Sequence, residues 1–214
     1  MDEEITIIDT KTRNEKIKHF ILNNKKNIIM SISALIILFI TYFAFDEIKQ
    51  RNKIKLANQF NMAIMNFKET EKQITIDEMT NIVNENDITY SPLALYFLID
   101  NNLIDNKIEV NVLFNQLINK TNLDEEIKNL IIYKKALFNS DLVDENELLQ
   151  IINPIINSES IWKPHALYLV AEYFYSKNEK QKSKEFFSQI LKLKDNNREI
   201  RLEAQRRINR DFSE

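Results

Sequence analysis

The sequence predicts an all-α protein, with a single N-terminal transmembrane helix followed by a domain of repeated helix pairs. Three observations carry this. Residues 28–45 run for 18 positions without a charge. The 214-residue chain has no glycine and only three prolines, Pro92, Pro154 and Pro164. A segment near residue 91 recurs near residue 163.

Composition excludes several function classes. Walker loops, dinucleotide fingerprints and nucleophile elbows need glycine, because the backbone must take positive φ or approach a ligand closely. With Gly at 0, none of them can be built. With Cys at 0, there is no disulfide frame, thiolate nucleophile or cysteine metal site. A net charge of −3 does not mark a nucleic-acid binder. No cofactor motif is present.

Residues 1–27 form a short polar tail of mixed charge, with Asp2, Glu3, Glu4, Asp9 and Glu15 against Lys11, Arg13, Lys16, Lys18, Lys25 and Lys26. Ile17, Phe20 and Ile21 share one face if this stretch is helical. A helix on the membrane surface and a frayed tail both fit.

Residues 28–45 are the anchor. As a helix they are about 27 Å long, close to the thickness of a bilayer's hydrocarbon core. The run is long for a signal-peptide core, and no small-x-small cleavage site follows it. A core helix of a small domain would show one polar side. Tyr42, Phe43 and Phe45 stand at one end, where aromatic rings favour the membrane interface. Flanking charge favours a cytoplasmic N-terminus only slightly. Lys25 and Lys26 lie at one boundary and Asp46 and Glu47 at the other, but Lys49, Arg51, Lys53 and Lys55 follow.

Residues 46–214 form the helical domain. No breaker interrupts 46–67, so the anchor helix is expected to run on to about Phe67. Further amphipathic helices are predicted at 77–86, 91–101, 107–120, 124–138, 144–152, 164–176, 179–191 and 197–210. Ser91 and Pro92 read as an N-cap and first-turn pair. Asp124, Glu125 and Glu126 fit a helix N-terminus, where acids complement the dipole.

The repeat is explicit. Ser91-Pro-Leu-Ala-Leu-Tyr96 matches Lys163-Pro-His-Ala-Leu-Tyr168, and Val112-Leu-Phe-Asn-Gln-Leu-Ile118 matches Glu185-Phe-Phe-Ser-Gln-Ile-Leu191. Half the offset is near the roughly 34-residue tetratricopeptide period, with a middle unit starting near Lys128. In the last unit Ala171 and Ser183 occupy the small positions. Phe174 and Phe187 take the aromatic ones, and Asn178 stands at a turn where glycine is usual. In the first unit Asn106 falls on the turn and Ile99 on a small position. Ala136 is the small residue of the middle unit. Four helix pairs follow, the first made by the end of the anchor helix with 77–86, and the last helix caps a TPR-like right-handed helical-repeat solenoid.

In such a solenoid the first helix of each pair lines the concave face. That places His165, Tyr168, Glu172 and Tyr175 inward, with Tyr96, Asp100 and Tyr133 from the units before. Tyrosines beside acids suit a groove for a partner peptide. Half-burial between repeats explains them equally well. His165 and Glu172 lie two helical turns apart, with no serine or second acid to join them, so no catalytic residue is assigned. Trp162 reads as packing under a turn. The arginines at 198, 201, 206, 207 and 210 read as a solvated face of the capping helix, and no metal site is assigned.

Over nearly its full length the chain resembles the YfgM-type tetratricopeptide-repeat-like membrane proteins, ancillary subunits of the SecYEG translocon. The resemblance rests on the Lys-rich tail, the span, Tyr90-Ser-Pro-Leu-Ala94, Trp162-Lys-Pro-His-Ala166, the Asn178 turn and Arg201-Leu-Glu-Ala-Gln205. The missing glycine and Ile99 depart from it. It implies a bacterial inner-membrane protein with a cytoplasmic N-terminus and a periplasmic domain. It also implies a non-enzymatic scaffold that binds Sec translocon subunits and a periplasmic chaperone and assists transfer of translocated proteins. An adaptor of another cell-envelope complex is the alternative. Neither reading calls for a nucleic acid, a cofactor or a small-molecule substrate; the lipid contact is through 28–45.

Overall fold

The computed structural model describes residues 13, 15–193 and 197–212. Residues 1–12, with the tail charges Asp2, Glu3, Glu4, Asp9 and Lys11, and Asn14 lie outside them. All regular structure among the described residues is helical. The chain divides into two units, Met1–Lys55 and Leu56–Glu214.

In the first unit, residues 15–23 form α1. Ile17, Phe20 and Ile21 are exposed on it. The helix α2, Lys25–Met65, contains the whole apolar run. It ends two residues before the expected Phe67. None of its most apolar 18-residue window is buried, and it is the one candidate membrane-spanning helix among the described residues. The Thr41 hydroxyl donates to the Ile37 carbonyl at 2.8 Å, so this polar group is satisfied within the helix.

The second unit begins with the last residues of α2, of which Leu56 and Ala63 are buried. After the 3₁₀ turn Glu69–Glu71 come α3 (Lys72–Asn84), α4 (Tyr90–Asp100), α5 (Lys107–Lys120) and α6 (Glu125–Asn139). Then follow α7 (Glu145–Ile156), α8 (Lys163–Ser176), α9 (Lys180–Lys192) and α10 (Arg198–Asp211). Four of these helices start at an Asn or Asp whose side chain accepts a first-turn N–H: Asn106, Asp124, Asp144 and Asn197. Asp124 therefore serves the helix start, with Glu125 and Glu126 in its first turn, while the Glu126 carboxylate also accepts from Ser160 Oγ at 2.7 Å.

Asparagine replaces glycine at the turns. Asn86, Asn102 and Asn178 have φ of 54°, 49° and 61°. Each follows a helix end, where a left-handed residue lets the chain reverse. After α4 and α8 the closing bonds are direct, Leu103 N–H to Leu98 C=O and Glu179 N–H to Phe174 C=O, both 2.9 Å. After α3 the equivalent bond is relayed. Asp87 N–H donates to Ser91 Oγ at 2.8 Å, and Ser91 Oγ donates to Ile82 C=O at 2.6 Å.

Several expectations are corrected. Ser91 is not the N-cap of α4: Asp87 Oδ1 accepts from Thr89 and Tyr90, and the buried Ser91 hydroxyl serves the turn instead. Asn106 caps α5, while the left-handed residue of that turn is Asn102. The helix α3 starts five residues before the expected Asp77, at Lys72, because Thr75 already packs inward. The helix α7 runs through Pro154 to Ile156, where Ile155 is still needed in the core. Pro154 lies near its C-terminus, so only one bond of the ladder is lost.

The helices pack in series. Each from α3 to α10 packs on the next, and α3 also packs on α5, α6 on α8 and α8 on α10. The helix α3 lies along α4, not chiefly against the end of α2 as the predicted first pair had it. Side chains of α2 share one apolar cluster with those of α3 and α4, and the Phe60 and Tyr90 rings lie 5.8 Å apart. The α8–α9 pair is close because both contact positions are small. Ala171 and Ser183 are fully buried, and Ser183 Oγ donates to Ala171 C=O at 2.8 Å.

Candidate protein-interaction surface

The seven candidate residues all lie on α4, α6 and α8. They do not form one open groove. Asp100 is exposed at the end of α4. Tyr96, Tyr133, His165, Tyr168, Glu172 and Tyr175 are half-buried. Four of these six, Tyr96, Tyr133, Glu172 and Tyr175, are covered by residues that follow them in the series.

Tyr96 lies under Lys134 of α6, whose Nζ is 4.4 Å from the ring centroid. Its hydroxyl is buried without a hydrogen-bond partner, and burial raises its pKa. Tyr133 of α6 stacks on Trp162 with centroids 6.0 Å apart and planes 20° apart, and meets His165 edge-on at 5.9 Å. Trp162 and His165 are 5.1 Å apart. Trp162 thus packs within the domain. His165 Nδ1 is buried without a partner, and desolvation lowers its pKa.

Two candidates on α8, Glu172 and Tyr175, are tied to α10. Arg207 places Nε 2.7 Å from Glu172 Oε1, a close ion pair rather than an aligned hydrogen bond, and Nη2 donates to Oε2 at 2.9 Å. Its guanidinium lies 4.4 Å from the Tyr175 ring centroid. Its Nη1 pairs with Asp211 at 2.6 Å. The Tyr168 hydroxyl hydrogen-bonds Glu172, and burial together with the charge of Glu172 pushes its pKa up to about 12. Arg207 is therefore not part of a solvated face; its side chain is 9 % exposed. The clue lay in the spacing Ile200, Ala204, Arg207, Asp211, which follows one side of a helix.

The Glu172 carboxylate serves Tyr168 and Arg207, and the His165 imidazole lies among rings. Among the described residues, no three His, Cys, Asp or Glu gather where a metal could bind.

The domain also carries two open clefts. One, of about 610 Å³, lies between α8 and α10, where His165 and Tyr168 face Ile200, Leu202, Glu203 and Arg206. The other, of about 570 Å³, was not anticipated. It is bordered by α5, α6 and α7, with Asn115, Asn119, Lys135, Glu147 and Gln150 among its lining residues. Lys135 Nζ donates to Asn115 Oδ1 at 2.9 Å. Partial burial lowers the Lys135 pKa, and the charge of Glu147 opposes this. The signal for this cleft was the run Asn111, Asn115, Asn119, spaced by four along α5.

No protein-family model, curated protein or solved structure matches the chain.

Proposed function

We propose that this chain is a non-enzymatic scaffold, a TPR-like right-handed solenoid held at a bacterial inner membrane by residues 28–45. Its N-terminus is cytoplasmic and its domain periplasmic. There it binds Sec translocon subunits and a periplasmic chaperone, and assists transfer of translocated proteins. The observation that carries the scaffold reading is the serial packing of α3 to α10, each on the next and several on the next but one. This is how repeat proteins are built, and it spreads contact surface along the chain rather than enclosing a reaction chamber. The small pair Ala171 and Ser183, and the left-handed Asn178, support the repeat. The exposed apolar helix supports the anchor. The translocon and chaperone rest on the resemblance alone.

The test is affinity purification of the full chain in mild detergent. Co-purifying translocon subunits and a periplasmic chaperone are expected. Purification without partners, with the chain folded, overturns the reading. A photo-crosslinker in place of Leu202, in the α8–α10 cleft, identifies the partner and separates a translocon scaffold from an adaptor of another envelope complex. Protease protection in spheroplasts decides topology: a domain shielded from external protease overturns the periplasmic assignment.

A further inference from the structure

The α5–α7 cleft has a chemistry that the tyrosine-lined helices lack. Three asparagines, Asn111, Asn115 and Asn119, recur every four residues on α5, with Gln150 from α7 also in the lining. Four residues of helix rise about 6 Å, and two residues of extended chain advance about 6.6 Å. Carboxamides at this spacing therefore stay in step with alternate peptide units of an extended chain. A carboxamide offers one C=O and one NH₂, the complement of a peptide group's N–H and C=O.

The amides are not all in use. Asn111 is committed, exchanging hydrogen bonds of 2.9 Å in both directions with Asn139. Asn115 gives its oxygen to Lys135 and keeps its NH₂. Asn119 and Gln150 are exposed, and their side chains make no hydrogen bond among the described residues. Ile118, Ile132 and Ile151 supply apolar surface between the amides. The gap exists because α5 and α7 do not pack closely on each other, although α3 packs on α5 two helices away.

We propose that this cleft binds an extended, unfolded segment of a partner protein by its main chain. This rests on the scaffold reading and gives it a site and a ligand class. Length fits: from Ile108 to Asn119 the wall rises about 17 Å, room for about five extended residues. Charge decides against a polyanion, since Lys135 faces Glu147 in the same cleft. Secondary structure decides against a bound helix, whose peptide groups are already paired and would leave the carboxamides without partners. Recognition by main chain admits many sequences, with Ile118, Ile132 and Ile151 favouring apolar side chains at alternate positions.

The full chain in detergent micelles is tested with two immobilised probes. One is a pool of random-sequence ten-residue peptides; the other is a pool of the same composition, N-methylated at alternate residues. The first pool is expected to retain the protein and the methylated pool to retain at least about tenfold less, as loss of two hydrogen bonds implies. The double variant N119A/Q150A, with both sites exposed and melting unchanged, is expected to lose about tenfold on the first pool. Glu78→Ala, at an exposed position of α3 outside both clefts, is expected to change nothing. Equal retention by both pools, no retention at all, or full retention of N119A/Q150A overturns the cleft assignment. If folded N119A/Q150A still co-purifies with its partner proteins, the scaffold reading survives that failure. If the wild type has no partners, the scaffold reading falls as well.

Discussion

Arg207 of α10 holds Glu172 of α8 through two contacts of 2.7 and 2.9 Å, while its guanidinium covers Tyr175. Asp211 completes the arrangement at 2.6 Å. The Arg207 side chain is 9 % exposed and that of Glu172 37 %. Such a pair stabilises little relative to apolar packing, but removing one partner leaves a charge without compensation. Its effect is directional: it fixes α10 on α8, so that Ala204 closes the last apolar cluster with Ala171 and Phe187.

Arg207→Ala is therefore expected to destabilise the domain by about 2 kcal/mol, less than for a fully buried pair because Glu172 is partly solvated. Urea unfolding of the full chain measures this. In a double-mutant cycle with Glu172→Ala, the two losses are expected to be sub-additive by about 1 kcal/mol or more. Hydrogen exchange is expected to rise first in α10. Additive losses would mean that the pair is incidental.

Ser91 and Ser183 are both fully buried, and both donate to a backbone carbonyl, yet their removal is expected to differ. Ser91 Oγ relays Asp87 N–H to Ile82 C=O, so Ser91→Ala leaves a donor and an acceptor unpaired, for about 2 kcal/mol. Ser183 bonds a carbonyl in the middle of α8, which the helix ladder already serves. Ser183→Ala is expected to cost at most about 1 kcal/mol. Ser183→Leu, by contrast, forces α8 and α9 apart and is expected to cost about 3 kcal/mol. Urea midpoints of the three variants give the order.

These serines also show where the sequence was legible. Helix positions followed from apolar spacing, and Asp124 and Asn178 followed from local chemistry, because both signals lie within a few residues. The apolar span was legible for the same reason. The role of Ser91 was not, since its acceptor is nine residues away across a turn. Arg207 was missed because Glu172, 35 residues before it, is visible only once α10 folds onto α8. The tyrosines on α4, α6 and α8 were placed on the right helices. Whether each is open or covered depends on the following helix, and local pattern does not carry that. The α5–α7 cleft depends on a spacing between helices that have no close mutual contact.

The three left-handed asparagines permit a clean comparison. At Asn178, with φ of 61° and an exposed side chain, only backbone conformation matters. Asn178→Gly is expected to be neutral within about 0.5 kcal/mol, and Asn178→Ala to cost about 1 kcal/mol. At Asn86 the side chain also works: its Oδ1 accepts from Gln116 at 2.9 Å and its Nδ2 donates to Asn84 C=O at 2.7 Å. Asn86→Gly is therefore expected to cost about 1 kcal/mol despite glycine's freedom. Thermal melting of the three variants is the check.

Alkaline pH is expected to weaken the end of the domain. Burial, and then the charge and hydrogen bond of Glu172, raise the Tyr168 pKa from 10.0 to about 12 in the folded chain. The folded state thus holds this proton over a range in which the unfolded chain has lost it. The stabilisation is complete below about pH 10 and is lost as pH rises towards 12. Urea midpoints between pH 9 and 12 are expected to fall. Tyr168→Phe, which removes the titrating hydroxyl, is expected to show a shallower fall over the same range.

The apolar helix gives the last prediction. In α2 the apolar window has no buried residue, with Ile36 and Ile37 53 % and 63 % exposed. Water is a poor environment for such a surface and a bilayer a good one, because the helix satisfies its own backbone groups. A lysine at the centre of a spanning helix costs about 3 kcal/mol. The double change Ile36→Lys and Ile37→Lys therefore costs about 6 kcal/mol, enough to prevent stable insertion. Wild-type chain is expected to remain with membranes in alkaline carbonate, and the double variant to be extracted. A lysine pair placed at Gln50 and Asn52 instead, outside the apolar run, is expected to leave the chain in the membrane. Extraction of the wild type would show that residues 28–45 do not span.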